Sequence, residues 1–292
     1  MTEDIATTRE DVASSLHALG VTRGDSVYIR AGLRALGPLA GSVEDVFLGG
    51  LFDAIGDEGT LLVPAFVPIS KIWERDIPIS DRHARSYAGA VSNMVLEHPR
   101  ALRSDHPTHS FAAVGREAES ILRGHTGDHA CFEPIRKLMA LDGKMLLIGC
   151  HLTSPGFSTV HLAQYDLGLS RRHYSRLLRR VRVSASPDRY YRPIESPGCS
   201  NGFGVFYSDY IDAGNLATGY VGDAWTVVVG AARAYAVEKD RLRADPRCCV
   251  CRDPGCASCR LLRGYNKRAA PRALLARLAR GAGRALRKRA DS

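Results

Sequence analysis

Short apolar runs alternate with amphipathic stretches along the first quarter of the chain. The amphipathic stretches repeat their apolar residues at helical spacing, and the apolar runs have the length of buried strands. The predicted elements are a helix capped by Thr7 or Thr8, a strand at 26–29, a helix over 42–56 and a strand at 60–64. Strand, helix and strand at this spacing predict a βαβ unit with two parallel strands.

The same alternation continues to about residue 247 without a repeat or a linker. Further elements are predicted as helices over 87–96, 116–123, 134–141 and 237–242, strands over 111–115 and 144–149, and a hairpin from 179–183 to 190–194 with its turn at Ser186-Pro187-Asp188. Residues 65–86 are predicted to form a long irregular connection, and loops of this length usually have a function. The sequence therefore predicts one α/β domain over 1–260, with a central mixed, largely parallel sheet flanked by helices, and a tail over 261–292.

One helix start carries a candidate catalytic residue. After the strand at 144–149, a helix is expected to open at Ser158 or Thr159, which are good N-cap residues. His161 then lies in the first helical turn, at the carboxyl end of a buried strand, where α/β proteins bind ligands. A histidine there can accept or donate a proton near neutral pH. The alternative is a histidine that only caps or packs.

Composition and length bound the class of protein. The chain has 292 residues, of which 45% are hydrophobic and 24% charged, as in a globular protein with a large core. No run approaches the ~20 apolar residues of a membrane span. The acidic start of the chain does not resemble a signal peptide, so a cytoplasmic location is expected.

The net charge of +9 comes from the tail. Residues 260–292 hold eleven Lys or Arg and one acid, which leaves about −1 for the rest of the chain. Nucleic-acid binding by the body is therefore not expected. The 261–292 tail is either a basic amphipathic helix that touches a membrane surface or a disordered solvated segment, because Gly281 and Gly283 weaken a helix.

Five of the eight cysteines lie within residues 248–259. Cys251, Cys256 and Cys259 have spacings that suit a structural zinc site, with Cys248 and Cys249 nearby. An iron–sulfur site and a turn with reduced thiols are the alternatives. His106 and His109, on either side of Pro107, are either a metal pair or hydrogen-bonding loop histidines, and His125 and His129 are predicted to be solvated.

Several segments together resemble the antibiotic N-acetyltransferase family, whose best-known members are aminoglycoside 3-N-acetyltransferases. The segments are Leu19-Gly20-Val21-Thr22-Arg23-Gly24-Asp25, Gly56-Asp57-Glu58-Gly59-Thr60, Ser104-Asp105-His106-Pro107-Thr108-His109-Ser110, Leu141-Asp142-Gly143-Lys144, His161-Leu162-Ala163, Asp245-Pro246 and Cys256-x-x-Cys259. The resemblance covers about residues 8–260. Neither a GxGxxG nor a Walker pattern is present, so dinucleotide and P-loop sites lack support. The resemblance implies the family's own α/β fold and acetyl-CoA as co-substrate.

The resemblance also implies a site. His161 matches the histidine of the family's His-Leu-Ala-Glu motif, which makes it the expected general base, and Glu195 matches an acid that would stabilise its charged form. Arg30, Ala31 and Gly32 stand where the family has His-Ser-Ser at the acyl-cofactor site. Ser104 and His106 are expected near the cofactor.

Two departures bear on the substrate. Gln164 and Pro197 replace acids of the family, so the site has lost negative charge where a polycationic drug would bind. The sequence therefore favours N-acetylation of a less cationic amine, such as an amino sugar, by direct attack on the thioester. The alternative is a member that has lost catalysis and acts as a binding protein through its Cys cluster and tail. The sequence does not predict an oligomeric state.

Overall fold

The computed structural model describes residues 6–170, 177–183, 186–256 and 258–259. Its helices are α1 (Arg9–Ala18), α2 (Gly49–Ile55), α3 (Ala90–Glu97), α4 (Ala118–Leu122), α5 (Glu133–Ala140), α6 (Thr159–Asp166), α7 (Tyr207–Asp212) and α8 (Ala231–Ala244). Its strands are β1 (Ser26–Ala31), β2 (Thr60–Pro64), β3 (Ser70–Lys71), β4 (Ile79–Ser80), β5 (Leu102–Arg103), β6 (Phe111–Gly115), β7 (Lys144–Ile148), β8 (Arg179–Val183), β9 (Ser186–Tyr191), β10 (Ala217–Val221) and β11 (Ala224–Gly230). The predicted tail over 261–292 lies outside the described residues.

The described residues form a seven-stranded mixed sheet in the order β10-β11-β7-β1-β2-β6-β5. The predicted βαβ unit is confirmed, since β1 and β2 are parallel and α2 connects them. The expectation of a largely parallel sheet is wrong, because only β1–β2 and β1–β7 are parallel among the six pairings of the described strands. The physical reason is that short turns join neighbouring strands of the sheet. A tight turn at Gly222, whose φ is 53°, joins β10 and β11, and β11 lies antiparallel beside β7.

Helices cover both faces of the sheet. Val27 and Ile29 of β1 point to one face, where they pack with residues of α1, α2 and α3, and Tyr28 points to the other, where α5, α6 and α8 pack. This alternation follows from the two-residue period of a strand. The position of His161 is therefore set by the second layer, in which α6 packs against α8 and α5.

The predicted hairpin is confirmed as the antiparallel pair β8 and β9, which joins β3 and β4 in a smaller sheet. Its turn comes earlier than predicted, because Ser186 already belongs to β9 and pairs with Val183. Two of the predicted helix starts are also confirmed. Thr8 caps α1 through a capping box with Asp11, and Ser42 Oγ accepts a hydrogen bond from the Asp45 amide before α2. Within the described residues, no helix is long and apolar enough to cross a membrane.

Candidate active site

Several loops meet at one edge of the large sheet. β1, β2 and β7 are parallel, so their carboxyl ends lie together, and the antiparallel pairings bring the end of β5 and the start of β6 to the same edge. This edge therefore gathers the loop after Arg30, the 65–86 connection, the 104–110 loop and the loop that leads into α6. It is the edge at which sheets of this kind bind ligands.

Lateral hydrogen bonds hold α6 in place. The helix begins at Thr159 as predicted, but neither Ser158 nor Thr159 caps it. The Ser158 hydroxyl bonds instead to the Tyr28 hydroxyl at 2.9 Å, and the Thr159 hydroxyl donates to Glu238 Oε1 at 2.8 Å. Burial raises the pKa of Glu238 to about 8, so this carboxyl is largely protonated at neutral pH. The first turn of α6 is thus fixed to β1 on one side and to α8 on the other.

His161 lies in this first turn with only 9% of its surface exposed. Phe132 stacks on its ring at a centroid distance of 4.9 Å, and Phe203 meets it edge-on at 4.8 Å. Its Nδ1 atom lies 3.2 Å from Gln164 Oε1. Gln164 Nε2 donates to Cys249 Sγ, so Gln164 Oε1 accepts the hydrogen bond from the Nδ1–H group of His161. The lone pair of the neutral ring is therefore on Nε2.

The electrostatic environment keeps His161 neutral. Burial lowers the pKa of His161 to about 4, the hydrogen bond with Gln164 opposes that effect, and the charge of Arg30 adds to it. A neutral imidazole at pH 7 is the form that a general base requires. The positive charge of Arg30 thus acts on His161, which places the predicted base near one residue of the predicted cofactor site.

Arg30, Ala31 and Gly32 follow one another at the end of β1. Ala31 pairs with Ile148, and the Gly32 amide donates to the Ile148 carbonyl at 2.8 Å. A Cβ atom at Gly32 would lie 2.8 Å from the carbonyl oxygen of Gly149, so the backbones of the two loops touch. A serine at position 32 would therefore require this loop to move.

Glu195 is buried and supports the segment that packs against His161. Its Oε1 accepts the Cys131 amide at 2.5 Å, and its Oε2 accepts the Ser170 hydroxyl at 2.6 Å. Cys131 precedes Phe132, the residue that stacks on His161. The structure thus connects Glu195 to His161 through Phe132, and its predicted role as an electrostatic partner stays a prediction.

Ser104 and His106 lie in the interior of the same edge. Ser104 Oγ accepts the Phe111 amide and contacts His125 Nδ1 at 3.0 Å. His106 Nδ1 accepts the amides of Thr108 and His109. The hydrogen-bonding alternative is thus the one observed for His106, and contact of Ser104 or His106 with a cofactor stays a prediction. The expectation that His125 is solvated is wrong, because Ser104 and the Ala130 carbonyl fix its ring in the core.

The cysteines divide into separate groups. Cys150 Sγ donates to the Arg30 carbonyl at 3.3 Å, and burial raises the pKa of this thiol although Arg30 opposes the shift. In the described part of the chain, the hydrogen bond of His161 goes to Gln164 and not to a thiol or hydroxyl. The predicted zinc ligands do come together, and Cys199 joins them. We call Cys199, Cys251, Cys256 and Cys259 the four-thiol cluster.

Sequence reasoning missed several members of the site. Phe132 and Phe203 sandwich the candidate base, Glu238 supports its helix, and Cys199 completes the thiol cluster. Phe203 lies in a stretch that is rich in aromatic residues, and Cys199 follows Pro197 and Gly198. The contact of Phe203 with His161, and that of Cys199 with the other three cysteines, join segments that are distant in sequence, so neither could be predicted from local pattern.

Comparisons with known proteins agree on one family. The family model for aminoglycoside 3-N-acetyltransferase matches residues 29–243. The chain is 32% identical over 163 residues to aminoglycoside N(3)-acetyltransferase VII of Streptomyces paromomycinus, covering 50% of this chain and 56% of that enzyme. It is 30% identical over 174 residues to aminoglycoside N(3)-acetyltransferase III of a Salmonella species, covering 54% and 60%. The chain thus spans little more than half the length of these curated relatives.

The fold agrees as well. The crystal structure of the aminoglycoside acetyltransferase AAC(3)-IVa superposes with a TM-score of 0.71 at 23% sequence identity, over 89% of this chain and 97% of that one. The predicted α/β class and the single large sheet are therefore confirmed. Because the family model covers well over half of the residues, this chain belongs to the aminoglycoside 3-N-acetyltransferase family.

Proposed function

We propose that this protein transfers the acetyl group of acetyl-CoA to an amine of an aminoglycoside or of a similar amino sugar. The names of the relatives support an N-acetyltransferase, and the observation that carries the proposal is the state of His161. A buried, neutral imidazole with Nδ1 occupied by Gln164 offers Nε2 as a proton acceptor at the ligand-binding edge of the sheet.

In this mechanism the amine attacks the thioester directly. Nε2 of His161 takes a proton from the amine, the new C–N bond forms at the thioester carbon, and the C–S bond breaks to release the CoA thiolate. Oxyanion donors are the amides of Leu33 and Arg34, which begin a 3-10 turn and so have no preceding helical carbonyl to bond. Gly32 is unsuitable because its amide bonds to Ile148. Arg30, at the end of β1, supplies the positive charge expected beside an anionic cofactor.

The charge around His161 indicates which kind of amine receives the acetyl group. Gln164 supplies an uncharged oxygen to His161. An uncharged partner attracts a polycation less than a carboxylate does. We therefore propose a substrate with fewer positive charges than a typical aminoglycoside antibiotic.

Purified protein with acetyl-CoA and a panel of gentamicin, kanamycin and mono-amino sugars tests this proposal, with thiol release as the readout. The expected result is turnover of a mono-amino sugar that falls by about 10²–10⁴-fold in His161→Ala. His129→Ala, at an exposed loop position, is the matched control. Efficient turnover of gentamicin would refute the proposal of a less cationic substrate, and an unimpaired His161→Ala enzyme would refute the assignment of the base. If acetyl-CoA binds but no amine is acetylated, the binding-protein alternative is favoured.

A further inference from the structure

The four-thiol cluster has the dimensions of a mononuclear metal site. Its four sulfur atoms all lie within 4.8 Å of one another. A zinc ion with Zn–S bonds of about 2.3 Å requires sulfurs about 3.8 Å apart at the corners of a tetrahedron. Small rotamer changes therefore suffice to bind the ion, and the cluster lies at the end of the domain, where the proposed acetyl transfer does not use it.

Backbone amides already point at the sulfur atoms. The Asn201 amide donates to Cys199 Sγ at 3.3 Å, and the Cys251 amide donates to Cys259 Sγ at 3.3 Å. Hydrogen bonds of this kind orient thiolates and offset their charge around a metal.

The backbone brings the two halves of the cluster into direct contact. Gly202 lies so close to the 249–251 segment that a Cβ atom there would be 2.1 Å from the Cys249 carbonyl oxygen. On the other half, the Asp253 carbonyl accepts the Cys256 amide, and Asp253 Oδ1 accepts the Gly255 amide, which closes the turn between ligands. The cluster is thus built from two loops that are shaped to meet, 52 residues apart in sequence between Cys199 and Cys251.

We propose that Cys199, Cys251, Cys256 and Cys259 bind one structural zinc ion. Four sulfur ligands are the donor set that structural zinc prefers, and the closed coordination leaves no position for a substrate. A cubane iron–sulfur cluster places its own iron and sulfide atoms between the thiolates and needs more room than these sulfurs leave. Paired disulfides would also fit thiols at this distance, and they are the competing outcome of the test.

The ion would stabilise the surroundings of the candidate base. Cys199 comes four residues after Glu195. Glu195 holds the Cys131 amide, next to Phe132, which stacks on His161. Cys249, two residues before Cys251 in sequence, accepts a hydrogen bond from Gln164. Gln164 in turn is the hydrogen-bond partner of His161. Zinc would therefore fix both the loop and the segment that pack behind α6.

Metal analysis of the full-length protein, produced with zinc in the medium and purified under reducing conditions, tests the proposal. We expect about one zinc ion per chain and no iron. Cys199→Ser and Cys256→Ser should each lower the zinc affinity, measured by competition with a chromogenic chelator, by about tenfold or more and lower the melting temperature. Cys248→Ser is the matched control, because Cys248 is in the same segment but outside the cluster.

Cobalt binding to the wild-type protein after zinc removal keeps the test independent of variants that fail to fold. The expected result is the intense visible absorption of tetrahedral cobalt thiolate, which zinc then abolishes. Zinc-free protein with a full count of free thiols or with disulfides would overturn the proposal, as would bound iron. Equal zinc affinity in the wild-type and Cys199→Ser proteins would overturn the assignment of the fourth ligand. None of these readouts depends on acetyl transfer.

Discussion

The Nδ1 atom of His161 lies 3.2 Å from Oε1 of Gln164, three residues later on the same face of α6. This contact fixes the tautomer of the candidate base without placing a negative charge beside it. The base is therefore oriented by an uncharged group, and burial then lowers the pKa of His161 to about 4.

Gln164→Glu should move the acid limb of the pH–rate profile upward. A carboxylate within hydrogen-bonding distance stabilises the imidazolium and raises the pKa of His161 by about 1–3 units. The pH dependence of kcat/KM measures this shift, because it reports the pKa of the free enzyme's base. Gln164→Met is the control, since it removes the hydrogen bond without adding charge, and the limb should then stay or move to lower pH. Identical limbs in the two variants would show that Gln164 does not act on His161.

Substitutions of Glu195 separate positioning from electrostatic support. Glu195→Gln keeps an acceptor for the Cys131 amide, so we expect most of kcat and an unchanged acid limb. Glu195→Ala leaves that buried amide unsatisfied, at a cost of about 1–3 kcal/mol in the free energy of unfolding. It should also lower kcat by about ten- to a hundredfold by releasing Phe132. A clear downward shift of the acid limb in Glu195→Gln would instead establish Glu195 as the electrostatic partner of His161.

The sequence predicted the local elements well and the lateral contacts poorly. Thr8, Ser42 and the βαβ unit follow from capping chemistry and apolar periodicity, which act within a few residues. Ser158 has the same capping chemistry, yet its hydroxyl bonds to Tyr28, 130 residues away, because the buried tyrosine hydroxyl also needs a partner.

The same limit applies to the candidate site. Resemblance to a family identified His161, but the identity of its immediate neighbours depends on packing between segments distant in sequence. Phe132 and Phe203 could not be paired with it from periodicity. Nor could His125 be recognised as a core residue, since its burial is made possible by Ser104 and the Ala130 carbonyl.

The protein should lose stability steeply as the pH falls below 6.5. His161, His106, His109 and His125 are buried, and burial lowers their pKa values to about 4, 3, 3 and 2. Between pH 6.5 and about 4 the unfolded chain binds these protons and the folded chain does not, so the histidine contribution to stability rises with pH in this window and is complete above it. Glu238 acts in the opposite direction, because its pKa of about 8 lets the folded chain keep a proton that the unfolded chain releases, and it offsets the slope of about one histidine. Each histidine contributes up to about 1.4 kcal/mol per pH unit.

Urea denaturation at several pH values between 4.5 and 7.5 measures this slope. His125→Gln removes one of the four buried histidines, whose combined slope is offset by Glu238, and should make the free energy of unfolding less dependent on pH by about a third. His129→Gln, at an exposed position in the same loop, should leave the slope as it is in the wild type. A wild-type stability that does not change between pH 7 and pH 5 would contradict burial of neutral histidines.

Gly202→Ala should weaken the proposed zinc site without touching a ligand. The backbone of Gly202 has φ −95° and ψ 0°, which alanine adopts readily, so any effect comes from its Cβ atom against the Cys249 carbonyl oxygen. We expect separation of the two loops, a lower melting temperature and a zinc affinity reduced by about tenfold or more. Gly204→Ala is the matched control, because a Cβ atom there meets only Pro155 at 3.7 Å, an ordinary contact. Equal zinc affinities in these two variants would mean that the approach of the loops at Gly202 does not control the metal site.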